Sequence, residues 1–597
     1  MIKKNRYRNV YILESRNFYS SDDLGYCKEL DLVLTYDFGL YHEIELKGGE
    51  VYFLDHMVHE KILHSHNFIA YDFFRNWHFD KDGQDIFVYE DVPFGFSLRL
   101  DLWDDILTYV RHIICLEQLT RIEFTKIYLG SYNGYIGGIL KKLDLNFLSL
   151  DSNSKDNLPD YYFPSENWLN SRIRKLGLKQ YSKLFFLKIL YNISFLKRCI
   201  YKAKKKKIFI QEYYPTADIV QSLNKRKDIE IFLSNYSWKG GVFRYFRENV
   251  LSLPMSGLGY SDVAEDLLSD LQRKRYARLI VMGHDISNEI YAIVESRLKL
   301  RLGLIVKTLS FVVKFMDREK LDLVVLIANI GLVPTLINCV AKKRNIKSYM
   351  IINGLLSGDY NDEGKNATFI NSYSEEIKSN YFKNARNVMC LGDPRMDYYS
   401  AVNSVKEIDR KNLRVLVGAS GYSLMDMNTY LGVEFDFMYK VLDGLSKLRD
   451  RGLNFTVDVK LRSNSYVDTY NCFFKEYFDG LIGTIYVHEN MSDVLQKNDV
   501  YISLVSQSLI EAACMGVAPV YFKNDTEVMD PPFDGSSTLT IARSSDQLCC
   551  VLSDFINGKD DLMSFCNREE LSKYIGYIDG KNLGRNIKYI DELISNK

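Results

Sequence analysis

Short runs of β-branched and aliphatic residues, each followed by a turn and a helix-spaced pattern, recur along most of this chain. They lie at residues 10–13, 32–35, 126–129, 207–210, 279–282 and 323–327. Strands that alternate with helices close into parallel sheets, so this rhythm constrains the fold more than any other feature. It restarts with LRVLVGAS at 413–420 and continues through 455–461, 484–487, 500–504 and 518–522. The expected class is α/β: two Rossmann-like domains with a deep cleft between them and an enlarged N-terminal half. At 597 residues the chain exceeds one ordinary domain. The polar stretch before the restart places the boundary near 398–412. The expected units are 1–400, 410–570 and a C-terminal helix, 571–597, that returns to the first unit.

Charge narrows the partners. Lys plus Arg equals Asp plus Glu at 77 each, which gives no reason to expect nucleic acid. The ten cysteines include no C-x-x-C pair, so neither a zinc ribbon nor a disulfide framework is indicated and a reducing cytoplasm fits. The N-terminus has no apolar signal region, and nowhere do 18 uncharged apolar residues run together. The expectation is a cytoplasmic protein that neither crosses a membrane nor is exported. One insertion, near 160–207, breaks the α/β pattern. From 172 to 207 Leu, Phe and Ile fall at helical spacing among many Lys and Arg, ending in Lys204, Lys205, Lys206 and Lys207. Such a helix either lies on an anionic membrane surface or is a surface helix with a solvated charged face.

The most informative stretch is DVYISLVSQSLIEAACMGVAP, 499–519. A buried strand leads into a hydroxyl-rich turn and a helix whose start carries Ser506, Ser508 and Glu511. At the carboxyl end of a parallel strand, free N–H groups and the helix dipole favour a phosphate. Ser508-x-x-Glu511 is equally a capping box that needs no ligand. Upstream, FTVDVKLRSNS alternates strictly and delivers Lys460 and Arg462 to a strand end. They suit phosphate neutralisation, or the strand has an exposed polar face. His488 and Glu489 follow another strand and are candidates for a nucleobase contact or a simple polar turn.

In the first half, LIVMGHDISNEI puts His284 and Asp285 after a strand and before a helix. There they are candidates to deprotonate an acceptor hydroxyl, with Asp285 as an N-cap the alternative. Asn329, Asn353 and Gly354 also fall at strand ends and are expected to line the same cleft. Asp362 and Glu363 read as a solvated pair. His56, His59, His64 and His66 lack the helix-plus-glutamate context of a zinc site, so no metal is assigned. No Walker-type phosphate loop occurs.

The stretch from Asn353 to the G-x-P-R-x-D motif at Gly392, Asp393, Pro394, Arg395, Met396 and Asp397 resembles the interdomain approach of GT-B transferases and epimerase-like proteins of bacterial surface polysaccharide synthesis. Asn353-Gly354 stands where that family has His-Gly. The second half is similar to sialic-acid and Kdo transferase-like proteins, with Ser506 and Ser508 where those place a serine pair against the donor phosphate; their His-Pro pair is absent. The resemblance covers about 275–530 and implies a metal-independent glycosyltransferase of capsule, O-antigen or lipooligosaccharide assembly. It would take a nucleotide sugar, with CMP-linked sugars among the candidates, as co-substrate and no cofactor. Its acceptor would be lipid-linked or an oligosaccharide, at the inner face of the cytoplasmic membrane. A CDP-alditol phosphotransferase and a non-catalytic sugar-binding subunit are the competing readings. If 172–207 docks on acidic headgroups, co-sedimentation with anionic vesicles falls steeply with salt, and falls again when Lys204, Lys205, Lys206 and Lys207 become Ser. Equal sedimentation with neutral and anionic vesicles rejects docking.

Overall fold

The computed structural model describes residues 3–14, 16–19, 25–99, 102–130, 134–150, 206–213, 216–235, 249–251, 257–327, 331–353, 367–382, 385–400, 406–419, 431–462, 467–504, 506–524 and 537–595. The basic segment up to Lys205, together with Asn329, Gly354, Asp362 and Glu363, lies outside the described residues. The segment's last two residues, Lys206 and Lys207, are not helical: they open the strand Lys206–Glu212 and pair with Asp322 at 3.5 Å and Glu319 at 3.1 Å.

Runs such as Leu323–Ile327 and Val500–Ser503 are buried at every position, as central parallel strands with helices on both faces must be. The strands assemble into three parallel sheets. The N-terminal one orders Glu50–Phe53, Leu32–Thr35, Asn9–Leu13, Lys126–Gly130 and Phe147–Ser149. The middle one orders Asn249–Val250, Ile229–Asn235, Lys206–Glu212, Leu323–Ile327, Ser348–Ile351, Phe369–Asn371 and Val388–Met389. The C-terminal one orders Ile482–Tyr486, Phe455–Lys460, Leu413–Gly418, Val500–Ser503, Ala518–Phe522 and Thr540–Ala542. In each sheet the chain runs from the first strand outward to one edge, then returns to pair a new strand on the other side of the first. This is doubly wound α/β, and it creates a switch point beside each first strand, where ligands sit at the carboxyl ends.

The long first unit read from the sequence therefore holds two sheets. They share one hydrophobic core, which runs without a break from Val10 and Trp77 through Tyr291 to Phe232 and Tyr349. Phe73 meets Tyr291 edge-on at 5.6 Å, and Lys142 pairs with Glu289 at 2.8 Å across the same boundary. The C-terminal sheet has its own core. One patch of the N-terminal unit reaches it: the helix Phe38–Leu46 packs Phe38 and His42 against Tyr439, Phe473 and Tyr477.

The run at 279–282 is not a strand of any of these sheets. Ile280–Val281 pairs antiparallel with His284–Asp285 in a hairpin, and Met282 and Gly283, with φ of 51° and 83°, form its turn. Two consecutive positive φ values make the tight reversal that matches strand twist, so the chain folds back instead of running on into a parallel ladder.

Between the middle and C-terminal sheets the chain passes through a junction built by the G-x-P-R-x-D motif. Asp393 caps the short turn Pro394–Met396 and holds Arg395 through both carboxylate oxygens, the closest contact at 2.6 Å, with both side chains buried. Its backbone N–H donates to the Ile575 carbonyl at 2.9 Å. Asp397 accepts from the N–H groups of Asn582 and Leu583 at 2.9 and 2.7 Å, capping the terminal helix Asn582–Ser595. That helix then lies on the middle sheet, where Tyr349 donates to Asn586, Arg226 pairs with Asp591 at 2.6 Å and Lys206 donates to the Ile594 carbonyl.

Gly392 sits at the crossing with φ 78°, and a Cβ there would fall on the Asn582 side-chain amide. Gly452 has the same φ and open space around it. Gly452→Ala should cost only the left-handed backbone penalty of about 1 kcal/mol. Gly392→Ala should cost about 3 kcal/mol or more. Urea midpoints of the two variants check this, and equal losses would dissolve the junction argument.

Candidate functional site

The switch point of the C-terminal sheet lies between Leu413–Gly418 and Val500–Ser503. Gly418 pairs with Lys460 on one side and with Ser503 on the other, so these two strand ends stand about 10 Å apart. Ser503 Oγ donates to the Gly418 carbonyl at 3.1 Å. A Cβ on Gly418 would fall on the Tyr501 ring, with Cζ 2.7 Å away. Glycine is what lets that ring lie beneath the strand end. From there a chain of hydroxyls runs upward: Tyr501 Oη meets Ser508 Oγ at 2.7 Å, and Ser508 Oγ meets Ser506 Oγ at 2.6 Å.

Ser506 is the N-cap of the helix Gln507–Cys514. Its backbone is extended, its carbonyl accepts from Leu509 N and its Oγ accepts from Ser508 N at 3.3 Å. The capping box expected at Ser508 is thus displaced. Ser506 holds the cap, and Ser508 turns its hydroxyl to Tyr501 and Ser506. Glu511 does not reach back to close a box. It is buried and accepts from Tyr399 Oη at 3.1 Å, beside the Asp393–Arg395 pair. Burial raises its pKa, against the pull of Arg395 and the Tyr399 hydrogen bond.

Lys460 ends its strand half-buried, and its Nζ donates to the carbonyls of Leu461 at 2.8 Å and Val487 at 3.0 Å. Burial lowers its pKa, and Glu489 opposes that. The ammonium therefore ties the 461–462 and 487–489 segments together at one edge. Glu489 is exposed and accepts from Val487 N at 2.8 Å, and backbone N–H bonds, its own first, lower its pKa. His488 and Arg462 are exposed alongside. Tyr501 has its pKa raised by burial, with Arg462 among the groups that pull it back. Lys460, Arg462, His488, Glu489, Ser506 and Ser508 thus all lie at the carboxyl edge of one sheet, with the Lys460 ammonium taken up by two backbone carbonyls.

The other candidates are elsewhere. His284 and Asp285 are on the hairpin described above, not at the carboxyl end of a parallel strand. Asp285 accepts from Ser287 N at 3.0 Å and from Ser287 Oγ, which lowers its pKa. That is a local turn contact just ahead of the helix Ser287–Glu319, whose N-cap is Ile286 and not Asp285. Asn353 follows Ser348–Ile351 at the carboxyl side of the middle sheet, half-buried. His66 Nδ1 lies 2.8 Å from the Ile62 carbonyl of its own helix. Among the described residues no group of three or more His, Cys, Asp or Glu is placed to hold a metal ion, and no helix is long and apolar enough to cross a membrane.

Two participants escaped the sequence reading. Tyr501 sits in an apolar strand and reads as core, and Gly418 ends a strand with no glycine-rich pattern around it. The pairing of Glu511 with the junction had a signal in the G-x-P-R-x-D motif, but nothing local connects 393–399 to 511. Because the Glu511 carboxyl has its pKa raised on folding, the folded state holds the proton more tightly than the unfolded state. The stability from that difference is fully present below the ordinary Glu value near 4.3 and is lost as pH rises through the raised one. Glu511→Gln should remove that loss, so its urea midpoint gains on wild type as pH rises from about 4 to 7. Parallel pH profiles would contradict this.

No protein-family model matches the sequence, and no curated protein matches it. Solved structures do. The UDP-GlcNAc 2-epimerase of Methanocaldococcus jannaschii, in complex with UDP-GlcNAc and UDP, is 14% identical over 65% of this chain and 99% of its own, with a TM-score of 0.39. MurG of Acinetobacter baumannii is 12% identical over 66% of this chain and 100% of its own, with a TM-score of 0.37. The wall teichoic acid polymerase TagF is 10% identical over 66% of this chain and 89% of its own, with a TM-score of 0.35.

Proposed function

We propose that this chain is a glycosyltransferase of bacterial surface-polysaccharide assembly that binds the phosphate of a nucleotide-activated sugar at the carboxyl edge of its C-terminal sheet. The observation that carries this reading is the hydroxyl chain from Tyr501 through Ser508 to Ser506, set at a helix N-terminus directly over the switch point. A phosphate there would take N–H and O–H donors from one side and the charge of Lys460 and Arg462 from the other. With those donors supplied by the protein, a divalent ion is unnecessary for donor binding. The acceptor, lipid-linked or an oligosaccharide, would approach from the middle sheet, where Asn353 lies. His488 and Glu489 flank the edge where a base would rest.

A thermal-shift panel of CMP, CDP, UDP, GDP and TDP, each with EDTA, tests this. One nucleotide should raise the melting temperature, and that shift should survive chelation. Ser506→Ala with Ser508→Ala should weaken its binding at least tenfold, about 1.4 kcal/mol. A preference for CDP would move the reading to alditol-phosphate transfer. An unchanged affinity in the double variant would place the site elsewhere.

A further inference from the structure

The N-terminal and middle sheets share one core, but the C-terminal unit joins them at separated places: the junction around Asp393, and the aromatic patch of the helix Phe38–Leu46. We propose that Phe38 and His42 are positioning residues that pin the C-terminal unit, and the phosphate edge it carries, in a fixed orientation to the other two. A unit held at one junction is free to swing as hinged domains do. A second attachment leaves only rotation about the line joining the two, and only while the patch holds.

The patch is built to hold. Phe38 and His42 are 6% and 8% exposed, and their rings stack 5.6 Å apart with 13° between planes. Phe38 meets Phe473 edge-on at 5.5 Å and Tyr477 at 5.6 Å, and His42 meets Tyr439 at 4.5 Å. Aromatic pairs at these separations attract beyond the area they bury. Arg16 lies 3.9 Å from Glu476 at the rim. The contact falls on the helices Leu431–Asp450 and Val467–Tyr477, which flank the sheet whose strand ends carry Gly418 and Lys460. Tyr41, on the same N-terminal helix, lies within electrostatic reach of Asp436 near the start of the first of these. The pinning follows from packing alone, and its use in orienting a donor rests on the transferase reading.

The double variant Phe38→Ala, His42→Ala of the full chain tests it by small-angle scattering and amide hydrogen exchange. The expected result is a larger radius of gyration and faster exchange in 38–46, 431–450 and 467–477. Exchange in the strands Leu413–Gly418 and Val500–Ser503 should stay slow, because the unit remains folded while its orientation loosens. An unchanged radius overturns the proposal. So does loss of protection in those two strands, which would make the patch a structural support of the C-terminal core. Tyr439→Ala, from the other side and only partly buried, gives the same readings should the double variant fail to fold. The transferase reading is judged separately by the nucleotide panel: if no nucleotide binds wild type but the radius responds as expected, pinning stands and the donor assignment falls.

Discussion

The buried pair of Asp393 and Arg395 is the contact around which the junction between the middle and C-terminal units is built. A carboxylate and a guanidinium removed from water are tolerable only when each satisfies the other, and losing one partner of such a pair costs about 3–5 kcal/mol. Here the pair also organises what surrounds it. Asp393 caps the turn that carries Arg395, its backbone N–H takes the Ile575 carbonyl, and Arg395 reaches the Tyr373 hydroxyl in the middle unit. Gln507, the first residue of the serine-capped helix, extends its amide toward the same carboxylate. The carboxyl edge that carries Ser506 and Ser508 and the interdomain junction are therefore neighbours, linked through Glu511, Tyr399 and Gln507, and not independent features of one sheet.

That linkage gives the charged groups distinct tasks. Lys460, Arg462, Ser506 and Ser508 lie at the carboxyl edge of the C-terminal sheet. Glu511, five residues past the cap, is drawn inward and spends its charge on the junction. One short helix thus begins at the carboxyl edge of the sheet while the rest of it holds the linker.

Much of this was legible in the residues. A fully apolar run such as 323–327 and a nearly apolar one such as 500–504 fit central parallel strands, and the restart at Leu413 marked the beginning of a separate sheet. What periodicity could not say is which strands pair. The runs at 10–13 and 207–210 look alike, yet they begin different sheets, because pairing is decided by contacts between residues far apart in the chain, such as Asn9 with Lys126 and Ile208 with Leu323. The hairpin at Ile280 was missed for a local reason: a two-residue reversal needed a positive φ at Met282, a residue type that does not advertise it. In the C-terminal sheet, strand-end position was enough to bring Lys460 and the two serines to one carboxyl edge. Tyr501 was hidden because a tyrosine in an apolar strand has no sequence mark that distinguishes packing from service to a hydroxyl chain.

The terminal helix carries a consequence for how the protein is made. Chains fold as they emerge, N-terminal parts first. The middle sheet, however, is covered at Tyr349, Arg226 and Lys206 by Asn586, Asp591 and Ile594, residues 237, 365 and 388 positions further along the chain. Until those residues have been made, that face of the middle sheet waits uncovered. A chain lacking the helix Asn582–Ser595 would leave it so permanently, and the cell's quality control would meet it as an unfinished one.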